Sequence, residues 1–312
     1  MVPATPPTPR PDRDAGVRPS LPELVALRSV VGRGAAARRA RSGVRAQALA
    51  PARGHGMEYA ESREYVAGDD ARHIDWRVTA RTGRTHTKTF QAERERLTLL
   101  VVDTAAALYF GTRTRFKSVQ AARAGALAAW LAVRDGDRIA ALRGSAREAP
   151  IAPAAGPRGA LRVLDALVHW YTEQPEDDQG LRIALDHARR LLRPGSRLIV
   201  LADPSSVASI PMESWAALGL HNDASVVMLV DPLERKPPSA RLPFQSNKGE
   251  RLELGLDTPS VRQRWKQSFE GDLERALETL KRSGVRATTL ATDEPSDAWL
   301  PLLDAPKAVA IR

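Results

Sequence analysis

Three aspartates stand at or just after apolar runs in this chain: Asp103 after Leu97–Val102, Asp203 after Arg197–Ala202, and Asp231 after Ser225–Val230. Carboxylates so placed can bind a hard cation, serve as acid or base, or cap the adjoining loops. A second concentration of chemistry lies in residues 61–81, where four Arg and five carboxylates surround Ile74, Trp76 and Val78. Asp69, Asp70 and Asp75 there are close enough in sequence to hold the divalent ion of a hydrolase. Their neighbours Arg63, Arg72, Arg77 and Arg81 argue instead for mutual ion pairing. Other chemistry is sparse. The six His, at 55, 73, 86, 169, 187 and 221, show no metal-ligand spacing. With no Cys, disulfides, thiolate metal sites and a Cys nucleophile are excluded. Gly-x-Gly-x-x-Gly, phosphate-cradling and Gly-x-Ser-x-Gly runs do not occur, which counts against a dinucleotide site, an intrinsic ATPase and a serine-hydrolase elbow.

These residues must be positioned by the elements around them. Ile74, Trp76 and Val78 alternate with polar residues, which predicts a half-buried strand with Asp75, Arg77 and Thr79 on its opposite face. Gly68-Asp69-Asp70 before it has turn chemistry. Thr82-Gly83-Arg84 links Trp76–Arg81 to a second extended run, Thr85–Phe90, so a β-hairpin is expected. From about residue 95 to 305, strands alternate with helices. Strands are predicted over 97–102, 138–142, 197–202, 225–230 and 286–290, with residues 145–151 pairing back as an edge. Helices are predicted over 117–134, 158–171, 180–192, 211–218, 260–283 and 296–303, and residues 243–256 form a hairpin turning at Asn247-Lys248-Gly249. This alternation implies an α/β fold with a mostly parallel sheet and helices on both faces. Ligand crevices in such sheets lie beyond the carboxyl ends of the strands, where Asp103, Asp203 and Asp231 can converge. The hairpin is expected to pack on this core through Ile74, Trp76, Val78 and Phe90.

The 312 residues are 43% hydrophobic, enough for one sizeable core plus an appendage. Residues 1–19 form a Pro-rich tail expected to be disordered. Residues 20–92 hold a basic arm and the hairpin, and residues 93–312 the α/β domain. Ser20 and Glu23 have capping-box spacing ahead of Leu24, Leu27, Val30 and Val31, so a short helix is expected there. No apolar run approaches the roughly 20 residues of a membrane span, and the N-terminus has no apolar signal segment, so a soluble cytoplasmic protein is expected. Residues 1–57 carry ten Arg against three carboxylates (Asp12, Asp14, Glu23), hence +7 of the net +10. Such an arm can attract nucleic acid or an anionic membrane, although it lacks interleaved aromatics for base stacking.

The sequence resembles a known family. Glu64-Tyr65, Gly68-Asp69-Asp70, Arg72, Ile74-Asp75-Trp76 and Ala80-Arg81 look like the signature of the bacterial family catalogued as domain of unknown function 58. The match continues through Phe90, Glu93, Glu95, Asp103, Phe110-Gly111, Lys117 and Gly136-Asp137, and covers about residues 54–230. The resemblance implies a doubly wound, von Willebrand factor A-like fold. Domains of that fold hold a divalent cation through Asp-x-Ser-x-Ser, a Thr and a later Asp. Here the run is Asp103-Thr104-Ala105-Ala106-Ala107; Ala105 and Ala107 offer no oxygen, the loop around Asp177-Asp178 has no Thr, and only Asp203 matches the later Asp. No metal and no cofactor are therefore expected, and Asp103 and Asp203 should cap loops or helix N-termini.

The resemblance further implies association with a MoxR-type AAA+ ATPase. The leading expectation is a noncatalytic adaptor, with Arg63, Glu64, Asp69, Asp70 and Arg72 facing the partner. Gly68, Ile74, Asp75, Trp76, Arg77 and Arg81 would hold the signature's shape, Asp75, Arg77 and Arg81 by internal pairing. Two readings of other classes stay open: a metal-dependent hydrolase built on Asp69, Asp70 and Asp75, and nucleic-acid or membrane binding through the basic arm.

Overall fold

The computed structural model describes residues 16–32, 57–66, 69–92, 96–245 and 251–304. Most of the basic arm, Gly68, the side chain of Phe90 and the Asn247–Gly249 turn lie outside them. Two compact units are present, Met1–Arg38 with Arg96–Arg312, and Arg39–Glu95.

Helix α1 (Leu21–Ala26) begins after Ser20, which has the extended backbone of an N-cap. Its hydroxyl makes no capping bond, and the Glu23 carboxylate pairs with Arg123 instead, so the expected capping box gives way to a tertiary ion pair. Leu24, Leu27 and Val31 are buried in the core of the larger unit, and the Trp130 indole N–H donates to the Leu24 carbonyl at 3.1 Å.

In the smaller unit, β1 (Met57–Glu64) and β2 (His86–Ala92) pair antiparallel, with Glu64 opposite His86. The predicted strand through Trp76 is instead a helix. A 3-10 turn (Ala71–His73) precedes α2 (Trp76–Thr82), which ends at Gly83 with φ 72°, a left-handed conformation that glycine adopts without strain. The helix forms because Asp75 caps it: its Oδ1 accepts from the N–H groups of Arg77 (3.2 Å) and Val78 (3.1 Å). A helix turns about 100° per residue, so positions 76 and 78 lie about 200° apart, and Ile74 precedes the helix in extended backbone. Ile74 and Val78 are half-buried, while Trp76 is 70% exposed. That exposure overturns the expectation that Trp76 anchors a hairpin to the core. Three alternating apolar residues fit either period, and the cap decided between them.

The larger unit is built on a six-stranded sheet of β3 (Leu97–Val102), β4 (Arg138–Arg143), β5 (Ile151–Ala155), β6 (Arg197–Ala202), β7 (Asp223–Val230) and β10 (Arg286–Ala291). The order is β10-β7-β6-β3-β4-β5; all neighbours are parallel except the edge strand β5, which pairs antiparallel with β4. A short hairpin, β8 (Arg241–Gln245) and β9 (Arg251–Gly255), precedes β10. The central strands are apolar throughout because both faces are covered. Leu100, Val102, Ile199 and Leu201 face one layer, with α3 (Lys117–Asp135) and α4 (Gly156–Thr172). Leu99, Val101, Leu198 and Val200 face the other, with α5 (Gly180–Leu191), α7 (Met212–His221) and α9 (Pro259–Arg282). Helices α6 (Pro204–Ala208) and α8 (Pro232–Arg235) lie in the connections that leave β6 and β7. The expected terminal helix is only a 3-10 segment, Leu300–Asp304. Among the described residues, no helix is long and apolar enough to cross a membrane.

Candidate functional site: a lysine among strand-end carboxylates

The carboxyl ends of β3, β6 and β7 bring Asp103, Asp203 and Asp231 together, as the strand pattern implied. Asp103 is 1% exposed. Its two oxygens accept from the N–H groups of Ala105 (3.0 Å) and Asp203 (3.1 Å), so this carboxylate ties the β3 loop to the β6 loop. Burial pushes its pKa up to about 6, against hydrogen bonds from Ser206 and those two amides that pull it down. Asp203 caps α6: its Oδ1 accepts from the Ser205 N–H at 2.9 Å and the Ser205 hydroxyl at 2.6 Å. Asp231 caps α8, accepting from Leu233 N–H, Thr112 N–H and the hydroxyls of Thr112 and Thr292. Glu234 returns its Oε2 to the Asp231 N–H at 2.8 Å, completing a capping box.

At the centre of this arrangement is Lys117, the first residue of α3 and fully buried. Its Nζ lies 2.6 Å from Asp203 Oδ2 and 2.5 Å from Glu234 Oε1, and 5.8 Å from the centre of the Phe110 ring. Burial alone would push the ammonium's pKa down; the charges of Glu234 and Asp203 and their hydrogen bonds outweigh it and hold it above the ordinary value. The loop preceding α3 fixes this position. Lys117 N–H donates to the Phe110 carbonyl at 2.8 Å, and a Cβ on Gly111 would come within 2.2 Å of the Arg115 carbonyl oxygen, so only glycine permits so tight a turn.

A divalent cation does not fit these residues. Ala105 and Ala107 supply no oxygen, both Asp103 oxygens are held by backbone N–H groups, and Asp203 gives its Oδ2 to a buried ammonium. The loop expected to supply a Thr carries Asp178, which accepts from the Thr104 hydroxyl at 2.9 Å. Sequence reasoning missed both Lys117 and Glu234 as members of the cluster. A signal was present: a lysine in the first turn opposes the positive end of the helix dipole, an unfavourable placement that nearby carboxylates offset.

The signature residues form a separate cluster in the smaller unit. Arg63 pairs with Asp69 at 2.6 Å, and Asp69 Oδ2 accepts from the Val66 N–H at 3.0 Å. The Val66 N–H and Arg63 hold the Asp69 carboxyl below its usual pKa, and Arg84, 2.8 Å away, does the same for Glu64. Asp70 Oδ1 accepts from the Arg72 N–H, and the Arg72 guanidinium stands 3.8 Å away. Asp75 is buried; its Oδ2 accepts from the Ser62 hydroxyl at 2.8 Å, which heads the interactions holding its pKa down. The expected pairing of Asp75 with Arg77 and Arg81 is not formed: the aspartate binds backbone and serine, and both arginines are exposed. Backbone N–H groups at a helix start outcompete flexible guanidinium groups for that carboxylate. Asp69, Asp70 and Asp75 are each committed to a different local partner, and among the described residues no group of three or more His, Cys, Asp or Glu could hold a metal ion.

Fold and site together define an open, mostly parallel α/β domain whose strand-end carboxylates close around an internal lysine. The chain belongs to the family described as "Protein of unknown function DUF58", whose match spans residues 61–275. It is also 28% identical over 250 residues to proteins of Mycobacterium bovis and Mycobacterium tuberculosis that bear only the description uncharacterized protein; the alignment covers 79% of this chain and 77% of each relative.

Proposed function

We propose that this protein is a noncatalytic interaction module, with a von Willebrand factor A-like domain, that partners a MoxR-type AAA+ ATPase. The observation that carries this reading is the commitment of the carboxylates at the ends of β3, β6 and β7. Asp103, Asp203, Asp231 and Glu234 are taken up by backbone amides, hydroxyls and the Lys117 ammonium, which leaves a rigid face and no free acid–base pair or nucleophile there. A lysine in place of a dissociable cation makes that face permanently formed, with no dependence on ion concentration. The signature unit would supply a second contact through Asp70 and Arg72, whose side chains are 52% and 90% exposed.

The test is co-purification of the full chain with a MoxR-type ATPase encoded in the same genome, at physiological salt. Association that survives chelation of divalent ions and weakens on Asp70→Asn supports the proposal. A purified mixture that elutes as separate species, with the adaptor folded, overturns it.

A further inference from the structure

The connection leaving β7 and helix α9 border a pocket beside the strand-end carboxylates and an adjoining open cleft. The first, of about 180 Å³, exposes mostly hydrocarbon, from Ala107, Pro204, Val230, Phe269 and Leu273, and is edged by Ser205, Arg235 and the carboxylates of Asp203, Glu234, Glu270 and Asp272. The second, of about 680 Å³, is lined by four cations, Arg235, Lys236, Arg262 and Lys266, against one carboxylate, Glu270. They share Arg235 and Glu270, so the apolar pocket opens beside the basic cleft. Among the described residues, most of that positive charge has no paired carboxylate. Glu270 pairs with Lys266 at 3.4 Å, while among the described residues Arg262 donates to neutral oxygens, the carbonyls of Leu256 and Asp257 and the Ser239 hydroxyl. Among the described residues, Arg235 and Lys236 have no carboxylate partner. Cations left unpaired at the mouth of an apolar pocket create a potential that anionic groups can satisfy.

We propose that this paired pocket and cleft bind an acidic linear peptide of a partner protein, with one aliphatic side chain inserted in the pocket and flanking Asp or Glu carboxylates on Arg235, Lys236 and Arg262. The inference rests on the interaction-module reading above and names its ligand chemistry. An apolar anchor with charged flanks is a recurring peptide-recognition pattern. Nucleic acid fits less well. The oxygens at the pocket's inner edge, on Asp203 and Glu234, already accept from Lys117 and from N–H or O–H donors. They offer no donor to read a base edge. An aliphatic side chain asks for no hydrogen bond.

The experiment is fluorescence anisotropy of the full chain with a fluorescein-labelled Glu-rich peptide carrying one leucine. The same peptide with serine for leucine and a labelled single-stranded RNA serve as comparisons. Expected are binding of the leucine peptide, a loss of about tenfold or more in affinity on joint Arg235→Glu and Lys236→Glu substitution, and a similar loss with the serine peptide. Both substitutions are at the surface, and circular dichroism confirms that the variant is folded. Unchanged binding in the folded variant overturns the cleft. Equal binding of the serine peptide overturns the pocket, and preference for RNA over peptide overturns the ligand class. Because the probe is a peptide, these failures are distinct from failure to co-purify an ATPase.

Discussion

The Lys117 Nζ stands 2.6 Å from Asp203 Oδ2, so the first residue of α3 places a positive charge at the carboxyl end of β6. With Glu234 on its other side, the ammonium links the start of α3 to the connections leaving β6 and β7. A buried charge pair contributes little net stability against an apolar substitute, but removing one member leaves an uncompensated charge.

Lys117→Met should therefore cost about 3–5 kcal/mol in urea unfolding, because Asp203 and Glu234 remain buried without their cation. Adding Glu234→Gln to that variant should recover part of the loss. A single variant with the wild-type urea midpoint and slope would show that the ammonium is dispensable.

Asp103 should titrate with a midpoint of about 6, well above the usual carboxylate range, because its buried site disfavours the charged form. A folded-state pKa raised above the unfolded value means that the folded state holds the proton more tightly. The resulting stability is fully present below about pH 4 and is lost as pH rises through about 6. NMR titration of the aspartate side-chain carbonyl carbons reads the midpoint directly, with the resonance absent in Asp103→Asn. A midpoint near 4 would contradict the environment described.

Divalent ions should leave the protein unchanged. Adding Mg²⁺ or Mn²⁺ at about millimolar levels should not move the melting temperature, whereas a ligand at 100 times its dissociation constant adds about 2.7 kcal/mol. A shift that disappears in Asp103→Ala would place a metal at the strand ends after all.

Asp75 and Trp76, adjacent in sequence, should respond in opposite ways. Asp75→Ala removes the cap of α2 and the Ser62 bond and should destabilise the smaller unit by about 1–2 kcal/mol; Asp75→Asn, which can still accept, should cost less. Trp76→Ala removes a largely exposed ring and should stay within about 0.5 kcal/mol. Native-state proteolysis or hydrogen exchange of residues 57–92 ranks them, and the reverse order would return Trp76 to a structural role.

The sequence by itself determined the alternation of elements in the larger unit, and it did so for a local reason. Strands buried on both faces, such as Leu97–Val102 and Arg197–Ala202, are continuous apolar runs, and the aspartate ending each run accepts from a backbone N–H two residues further on. The replacement of Ser by Ala at 105 and 107 was likewise legible, because a missing oxygen is visible in the residue type. Tertiary structure alone decided where charges meet. Lys117 is 86 residues from Asp203 and 117 from Glu234, and no local period encodes an ion pair at such separations. The segment Ile74–Val78 was too short for its period to be read, and its conformation was settled by one carboxylate that found two backbone N–H groups and the hydroxyl of Ser62, 13 residues earlier in the chain. A polar group's partner depends on which elements pack beside it, and that is fixed only when the chain has folded.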